Sequence, residues 1–152
     1  MNATLETNKN EFYPGETLNG RIRLKIKNPL EVRAIVATFY CHEKKKTMGY
    51  VPITIDEKRR IEELGMVVTS PVKMVETFSE NDIYKMEKKI APKGKYSLER
   101  FDFFFEIPKT AQPTSYDFGH DNKKIIWKIK VKLDIPLAPD INIEKEIKVL
   151  GL

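Results

Sequence analysis

The sequence predicts an all-β protein, specifically an antiparallel immunoglobulin-like β-sandwich of about seven or eight strands. Apolar and polar residues alternate over several segments, Pro and Gly mark the turns between them, and helical periodicity is nearly absent. Antiparallel strands with one wet and one dry face bury the dry faces by packing as two sheets. With 152 residues and no repeat or shift in composition, residues 1–152 are expected to form one domain.

The first third predicts an early hairpin and a central strand. Residues 3–7 form a short strand before a tight turn at 13–16, where Pro and Gly favour turn geometry. Residues 17–27 alternate strictly, with an apolar inner face and a basic outer face. Pro29 ends that pattern, and residues 32–43, apolar on both faces, predict a strand in the middle of a sheet.

The middle of the chain has a weaker pattern. Lys44–Lys46 is interpreted as an exposed strand end or hairpin tip. A short helix is expected over Asp56–Leu64, with Asp56 as its N-cap and Gly65 just past its end. Residues 72–78 and 83–90 are expected to form two further strands.

The last third is clearer. A turn at 92–95 precedes a strand over 100–107, which Pro108 stops. A polar loop over 109–124 leads to the cleanest alternating segment, 125–135, and a final strand contains Ile143, Ile147 and Val149. At strand spacing, Trp127 and the row Phe101, Phe103 and Phe105 are expected to be core residues rather than a ligand cage.

Composition indicates the cellular compartment of the protein and the character of its surface. No stretch approaches 18 apolar residues, the N-terminus is polar, and the single cysteine agrees with a reducing compartment, so we expect a cytoplasmic protein. The formal net charge of +5 is spread along the whole chain. Abundant Lys, Glu and Ile are typical of heat-adapted proteins, although a low-GC genome gives the same bias.

Residues able to perform catalysis are scarce. Cys41 and His42 are neighbours on a strand and point to opposite faces, so Cys41 is expected in the core and His42 on the surface at a strand end. Asp117, His120 and Asp121 form the best metal or catalytic candidate, but no second His lies nearby. Phosphate-loop, nucleophile-elbow, dinucleotide and Cys-pair zinc motifs are absent. We therefore expect no enzyme, no catalytic residue, no metal and no cofactor.

Two basic strand faces are the candidate binding residues. They comprise Arg21, Arg23 and Lys25 on one strand and Lys128, Lys130 and Lys132 on another. If the two strands share a sheet, they form one positive patch for acidic peptides, phosphates or lipid headgroups. No exposed aromatics are interleaved with these residues, so nucleic acid is not expected as a partner.

Several segments together resemble the N-terminal lobe of arrestins. Tyr13–Gly20, in which Pro-Gly-Glu is followed by a glycine at position 20, resembles the family's opening, and the likeness continues through residues 29–35 and 39–40. It resumes at Pro92–Tyr96, at Phe103–Phe105 with Ile107–Pro108, and at Trp127–Val131. Alpha-arrestins, the arrestin-fold retromer subunit and bacterial sporulation-control proteins are the most similar members.

The resemblance implies a non-enzymatic cytosolic adaptor or scaffold that binds partner proteins through sandwich loops and a sheet edge. The chain has length for one of the family's two lobes, so receptor silencing is not transferred to it. A homodimer imitating the two-lobed layout stays open. The alternative function is a peripheral binder of acidic lipid or phosphate groups through a basic sheet face.

Overall fold

Ten strands and one helix make up the computed structural model, which describes residues 2–119 and 121–151. The strands are β1 Asn2–Thr7, β2 Glu11–Phe12, β3 Thr17–Lys25, β4 Leu30–Val32, β5 Ala34–Pro52, β6 Val72–Ala91, β7 Gly94–Tyr96, β8 Arg100–Glu106, β9 Lys123–Asp134 and β10 Ile141–Val149; the helix is α1 Ile55–Glu63. The all-β prediction is confirmed. The described strands outnumber the seven or eight expected because β2, β4 and β7 are too short to show alternation.

Two sheets face each other and a small third sheet joins them. The first has the order β1-β3-β8, the second β2-β10-β9-β5-β6, and β4 pairs with β7. The described strand pairs are antiparallel, as the sequence predicts, except that the two-residue strand β2 runs parallel to β10. The second sheet is wider than the first, and β6 therefore flanks the edge strand β8 along an open side of the sandwich.

The core lies between the dry faces, as the alternation predicts. The Trp127 ring stacks on Phe39 at 5.2 Å between centroids, and Phe39 contacts Phe105 of the other sheet at 5.6 Å. The Trp127 indole N–H donates to the carbonyl of Gln112 at 2.8 Å, so its polar atom is satisfied inside the core. Trp127, Phe103 and Phe105 are buried, which confirms their expected core role, while Phe101 is half-buried against Tyr96.

The longest hairpin corrects the reading of the middle segment. β5 continues through Lys44–Lys46 to Pro52, so these lysines are neither a strand end nor a hairpin tip. β6 is one strand where two were expected, and its register with β5 shifts between Cys41 and His42, opposite Ile83. Polar residues 79–82 conceal this continuity, because an edge strand beyond the core needs no apolar alternation there.

Helix α1 begins one residue before the predicted position. Its N-cap is Thr54 rather than Asp56: the Thr54 hydroxyl accepts from the backbone N–H of Glu57 at 3.2 Å and donates to the Glu57 carboxylate at 3.1 Å. Asp56 instead lies in the first turn, where a carboxylate stabilises the helix dipole. Gly65 follows the helix with φ +80°, as its predicted position past the end requires.

Candidate functional site

The six predicted basic residues do not form one patch. Arg21, Arg23 and Lys25 lie on β3 in the three-stranded sheet, whereas Lys128, Lys130 and Lys132 lie on β9 in the five-stranded sheet. The apolar alternate residues of both strands fill the shared core, so the two basic rows face solvent on opposite sides of the sandwich. The condition for a single patch, that the two strands share a sheet, is therefore not met. Alternation indicates which face of a strand is wet but not which sheet the strand joins.

Two of the three basic residues on β3 have acidic neighbours on their own sheet. Arg21 bonds the carboxylate of Asp102 on β8 at 2.6 Å, and Arg23 lies 3.5 Å from Glu6 on β1. The hydrogen bond from Arg21 lowers the pKa of Asp102, and the same bond raises the pKa of Arg21. Most of this row is therefore engaged across strands rather than free for an anionic ligand.

The β9 row has a similar mixed environment. Lys128 lies 3.7 Å from Glu144 on β10, and Lys132 lies 4.0 Å from Asp140. The Tyr40 hydroxyl donates to Glu144 at 3.3 Å, and burial, followed by the charge of Glu144, raises the pKa of Tyr40 to about 12. This outer face alternates charges, which favours a solvated surface over a strong anion site.

Cys41 and His42 do not form a catalytic pair in the structure. Cys41 is buried, as expected, and this burial raises the pKa of its thiol to about 12. His42 lies within β5 rather than at a strand end, with its ring nitrogens 3.0 Å from Asp82 and 3.9 Å from Glu80. His120 of the loop candidate lies outside the described residues. Across residues 2–119 and 121–151, no group of three His, Cys, Asp or Glu side chains could hold a metal ion.

The open side of the sandwich carries a groove that the sequence reading missed. The groove has a volume of about 400 Å³ and runs between β6 and β8, the outermost strands of the two sheets. Its lining comprises Gly15, Tyr84, Met86, Lys88 and residues Phe104 to Lys109. Tyr84 lies on the apolar floor of the groove and packs edge-on against the core residue Phe39, with 5.8 Å between the ring centroids. Lys88, Glu106 and Lys109 form the polar rim of the groove.

Two large apolar side chains remain accessible at this groove. Met86 is 46% exposed and Phe104 is 51% exposed, although both belong to regular strands. Phe104 lies on the outer face of its sheet, between the core residues Phe103 and Phe105. The run of three phenylalanines in an alternating strand was the available signal, since its central ring must point away from the core.

Lys88 bridges the two sheets across the groove. Its ammonium donates a 2.5 Å hydrogen bond to the backbone carbonyl of Phe104 and lies 3.8 Å from the centroid of the Phe104 ring. Among the described strands, β8 pairs only with β3, so this carbonyl belongs to its free edge. Lysine side chains at free edges protect them from unwanted pairing.

Comparisons with known proteins agree with this architecture. The family model of "Arrestin (or S-antigen), N-terminal domain" matches residues 1–152. A solved structure of Spo0M, a sporulation control protein from Bacillus subtilis, aligns with a TM-score of 0.60 at 16% identity, covering 99% of this chain and 49% of that one. The chain thus spans about half the length of that structure. No curated protein matches it.

None of the helices in the described residues is long and apolar enough to cross a bilayer. The family match covers residues 1–152, and the solved structure shows the same fold. The chain belongs to the family of the arrestin N-terminal domain.

Proposed function

We propose that this chain is a single-domain, non-enzymatic cytoplasmic adaptor that binds an extended segment of a partner protein at the β6/β8 groove. Arrestin-fold proteins generally act as adaptors or scaffolds. The observation that carries the proposal is the pair of accessible apolar side chains, Met86 and Phe104, between two free strand edges. A partner segment in β conformation adds main-chain hydrogen bonds along such an edge, and its side chains enter the adjacent groove.

Lys88 defines the chemistry of the partner. An incoming strand replaces the Lys88 ammonium with its own backbone N–H at the Phe104 carbonyl. The released ammonium then pairs with a carboxylate of the partner, and Lys109 adds a second positive charge at the rim. The favoured ligand is therefore an extended peptide that alternates apolar and acidic side chains.

The test is a selection of peptides of 7 residues, which is the length of β8. A random peptide library displayed on phage is selected against the protein, and a synthetic winner is mapped by amide NMR shifts. We expect acidic-apolar sequences whose shifts fall on β6 and β8. Met86→Lys should raise the dissociation constant about tenfold or more, which corresponds to ~1.4 kcal/mol of lost contact.

Met66→Lys is the matched control. Met66 is similarly exposed but lies beyond α1, away from the groove, so this variant should bind as the wild type does. The proposal fails if selection yields no peptide above background. It also fails if the shifts map elsewhere, or if Met66→Lys and Met86→Lys weaken binding equally.

The alternative function, weak binding to acidic lipid or phosphate, has less support from the geometry. Each basic row holds three of the six residues, and Arg21, Arg23, Lys128 and Lys132 already have acidic neighbours. The six residues stay a predicted binding set, and co-sedimentation with acidic liposomes tests it.

A further inference from the structure

β5 and β6 extend beyond the body of the sandwich as a two-stranded arm. Pairing of β5 with β9 ends at Lys45 opposite Lys123, but pairing with β6 continues to Pro52 opposite Val72. Residues 46–78, including α1, are called the arm below. Two-stranded ribbons are marginal in water unless one of their faces is covered.

Helix α1 covers one face of the arm. Lys73 pairs with Glu57 of the helix, and Glu57 and Ile61, which lie one helical turn apart, are the half-buried residues of α1. Val51 and Val75, which share the face of Lys73 by strand alternation, are half-buried too.

The opposite face of the arm is apolar, and it is uncovered except at its base, where the ring of Phe78 packs against that of Phe118 with 5.6 Å between centroids. Its large side chains are Met48 (53% exposed), Tyr50 (74%), Val72 (39%), Met74 (59%) and Phe78 (52%). Tyr50 and Met74 are cross-strand partners at its centre. If about 200 Å² is taken for each fully exposed side chain, this face presents roughly 500 Å² of apolar surface. That area lies at the upper end of what a monomer ordinarily exposes, and such patches mark interaction sites.

The charge of the arm indicates which partner fits. Residues 46–78 carry five basic and five acidic side chains, so their net charge is zero, whereas the whole chain carries +5. The arm therefore lacks the positive charge that would attract an acidic membrane or a nucleic acid. On the apolar face, the ammonium of Lys46 and the carboxylate of Glu76 already lie 3.9 Å apart, so association buries no unpaired charge there.

We infer that this arm face binds the same face of a second copy, forming a two-fold symmetric dimer. Two copies that each carry +5 repel least where their surfaces are neutral, and the arm meets that condition. A stable interface buries about 800 Å² on each partner. The apolar side chains supply more than half of that area. The remainder would have to come from the ribbon backbone and from the stems of Lys46 and Glu76. This face shares no residue with the β6/β8 groove, so the dimer presents two grooves.

Sedimentation velocity and light scattering over the micromolar range test the dimer. The wild type should shift from monomer to dimer with rising concentration. The double variant Tyr50→Lys with Met74→Glu changes two exposed positions and should raise the dissociation constant about tenfold or more. Leu98→Lys, an exposed position away from the arm, is the matched control and should dimerise as the wild type does. Trp127 fluorescence verifies that each variant is folded.

A wild type that stays monomeric at the highest concentration overturns the inference. An arm variant that dimerises as tightly as the wild type also overturns it. So does a monomeric wild type that binds phosphatidylserine vesicles and loses that binding in the arm variant, because the occupant is then lipid. None of these results depends on peptide binding at the groove, so the two proposals fail separately.

Discussion

Gly20 lies on β3, after the Pro-Gly-Glu turn. We expect that adding a single methyl group at this position destabilises the sandwich. Gly20 lies directly opposite Phe103 in the β3–β8 pair. A Cβ added at Gly20 would meet two ring carbons of Phe103 at 2.4 Å, whereas carbon atoms pack at about 3.5–4.0 Å. The ring must therefore move by about 1 Å, and it is held in the core against Phe105.

The expected cost follows from two opposing effects. Overpacking of a core costs about 1–3 kcal/mol, while replacing Gly by Ala in an allowed conformation stabilises by about 0.4–1 kcal/mol through the unfolded chain. Gly20→Ala should thus destabilise the protein by about 1–2 kcal/mol. For a chain of this length, the melting temperature should fall by about 2–8 °C. The loss of unfolding free energy is measured by guanidinium unfolding, followed by the fluorescence of Trp127, the single tryptophan, which is buried.

Gly49→Ala is the matched control, because no atom lies within 4 Å of a Cβ built there. This variant should be neutral or slightly stabilising. Phe103→Leu removes the three ring atoms nearest to the added methyl, so combining it with Gly20→Ala should cost about 1 kcal/mol less than the sum of the single changes. Equal stabilities of the Gly20→Ala and Gly49→Ala variants would refute the close-approach argument.

Three further predictions concern titration and charge. The Cys41 thiol, with its pKa of about 12, should stay unreactive towards a thiol reagent at neutral pH and react only on unfolding; rapid native-state labelling contradicts this. The pKa of Glu57 is lowered below 4.5 by its bond to Lys73, so its stabilising effect is present above pH 4.5 and is lost as the pH falls through the lowered value. The melting-temperature difference between wild type and Glu57→Gln should therefore shrink on acidification, and a constant difference contradicts this. If the basic rows bind anions, Lys128→Glu with Lys130→Glu should abolish co-sedimentation with phosphatidylserine vesicles, and no binding by the wild type removes the lipid alternative.

The sequence predicts those strands whose two faces differ in solvation. β3, β8 and β9 each have one face in the core and one in water, so their alternation is visible and their core residues were predicted. β6 is different, because it is an edge strand whose distal half lies beyond the core. Its polar residues 79–82 therefore indicate a turn when only the sequence is considered.

Sheet membership explains why the six basic residues do not lie together. Lys128 and Arg21 occupy equally wet positions, and nothing local in the sequence shows that β9 and β3 belong to opposite sheets. That assignment depends on pairing between distant segments, such as Cys41 with Trp127, which no single-strand pattern encodes. The groove cannot be predicted from a single strand for the same reason. Met86 and Phe104 come together only when the five-stranded sheet packs against the three-stranded one.

The unequal width of the two sheets links the fold to the proposed function. If both sheets had the same number of strands, Tyr84 and Met86 would be covered and the sandwich would offer no groove beside β8. A free edge next to an apolar groove also risks uncontrolled pairing between chains. Lys88 limits that risk by holding the Phe104 carbonyl. If the proposed function is right, the same residue favours an acidic partner, because a ligand that supplies both a backbone N–H and a carboxylate replaces the contacts that Lys88 loses on release. Lys88, which protects the free edge of β8 in the unbound protein, would thus also determine which partner segment can pair with that edge.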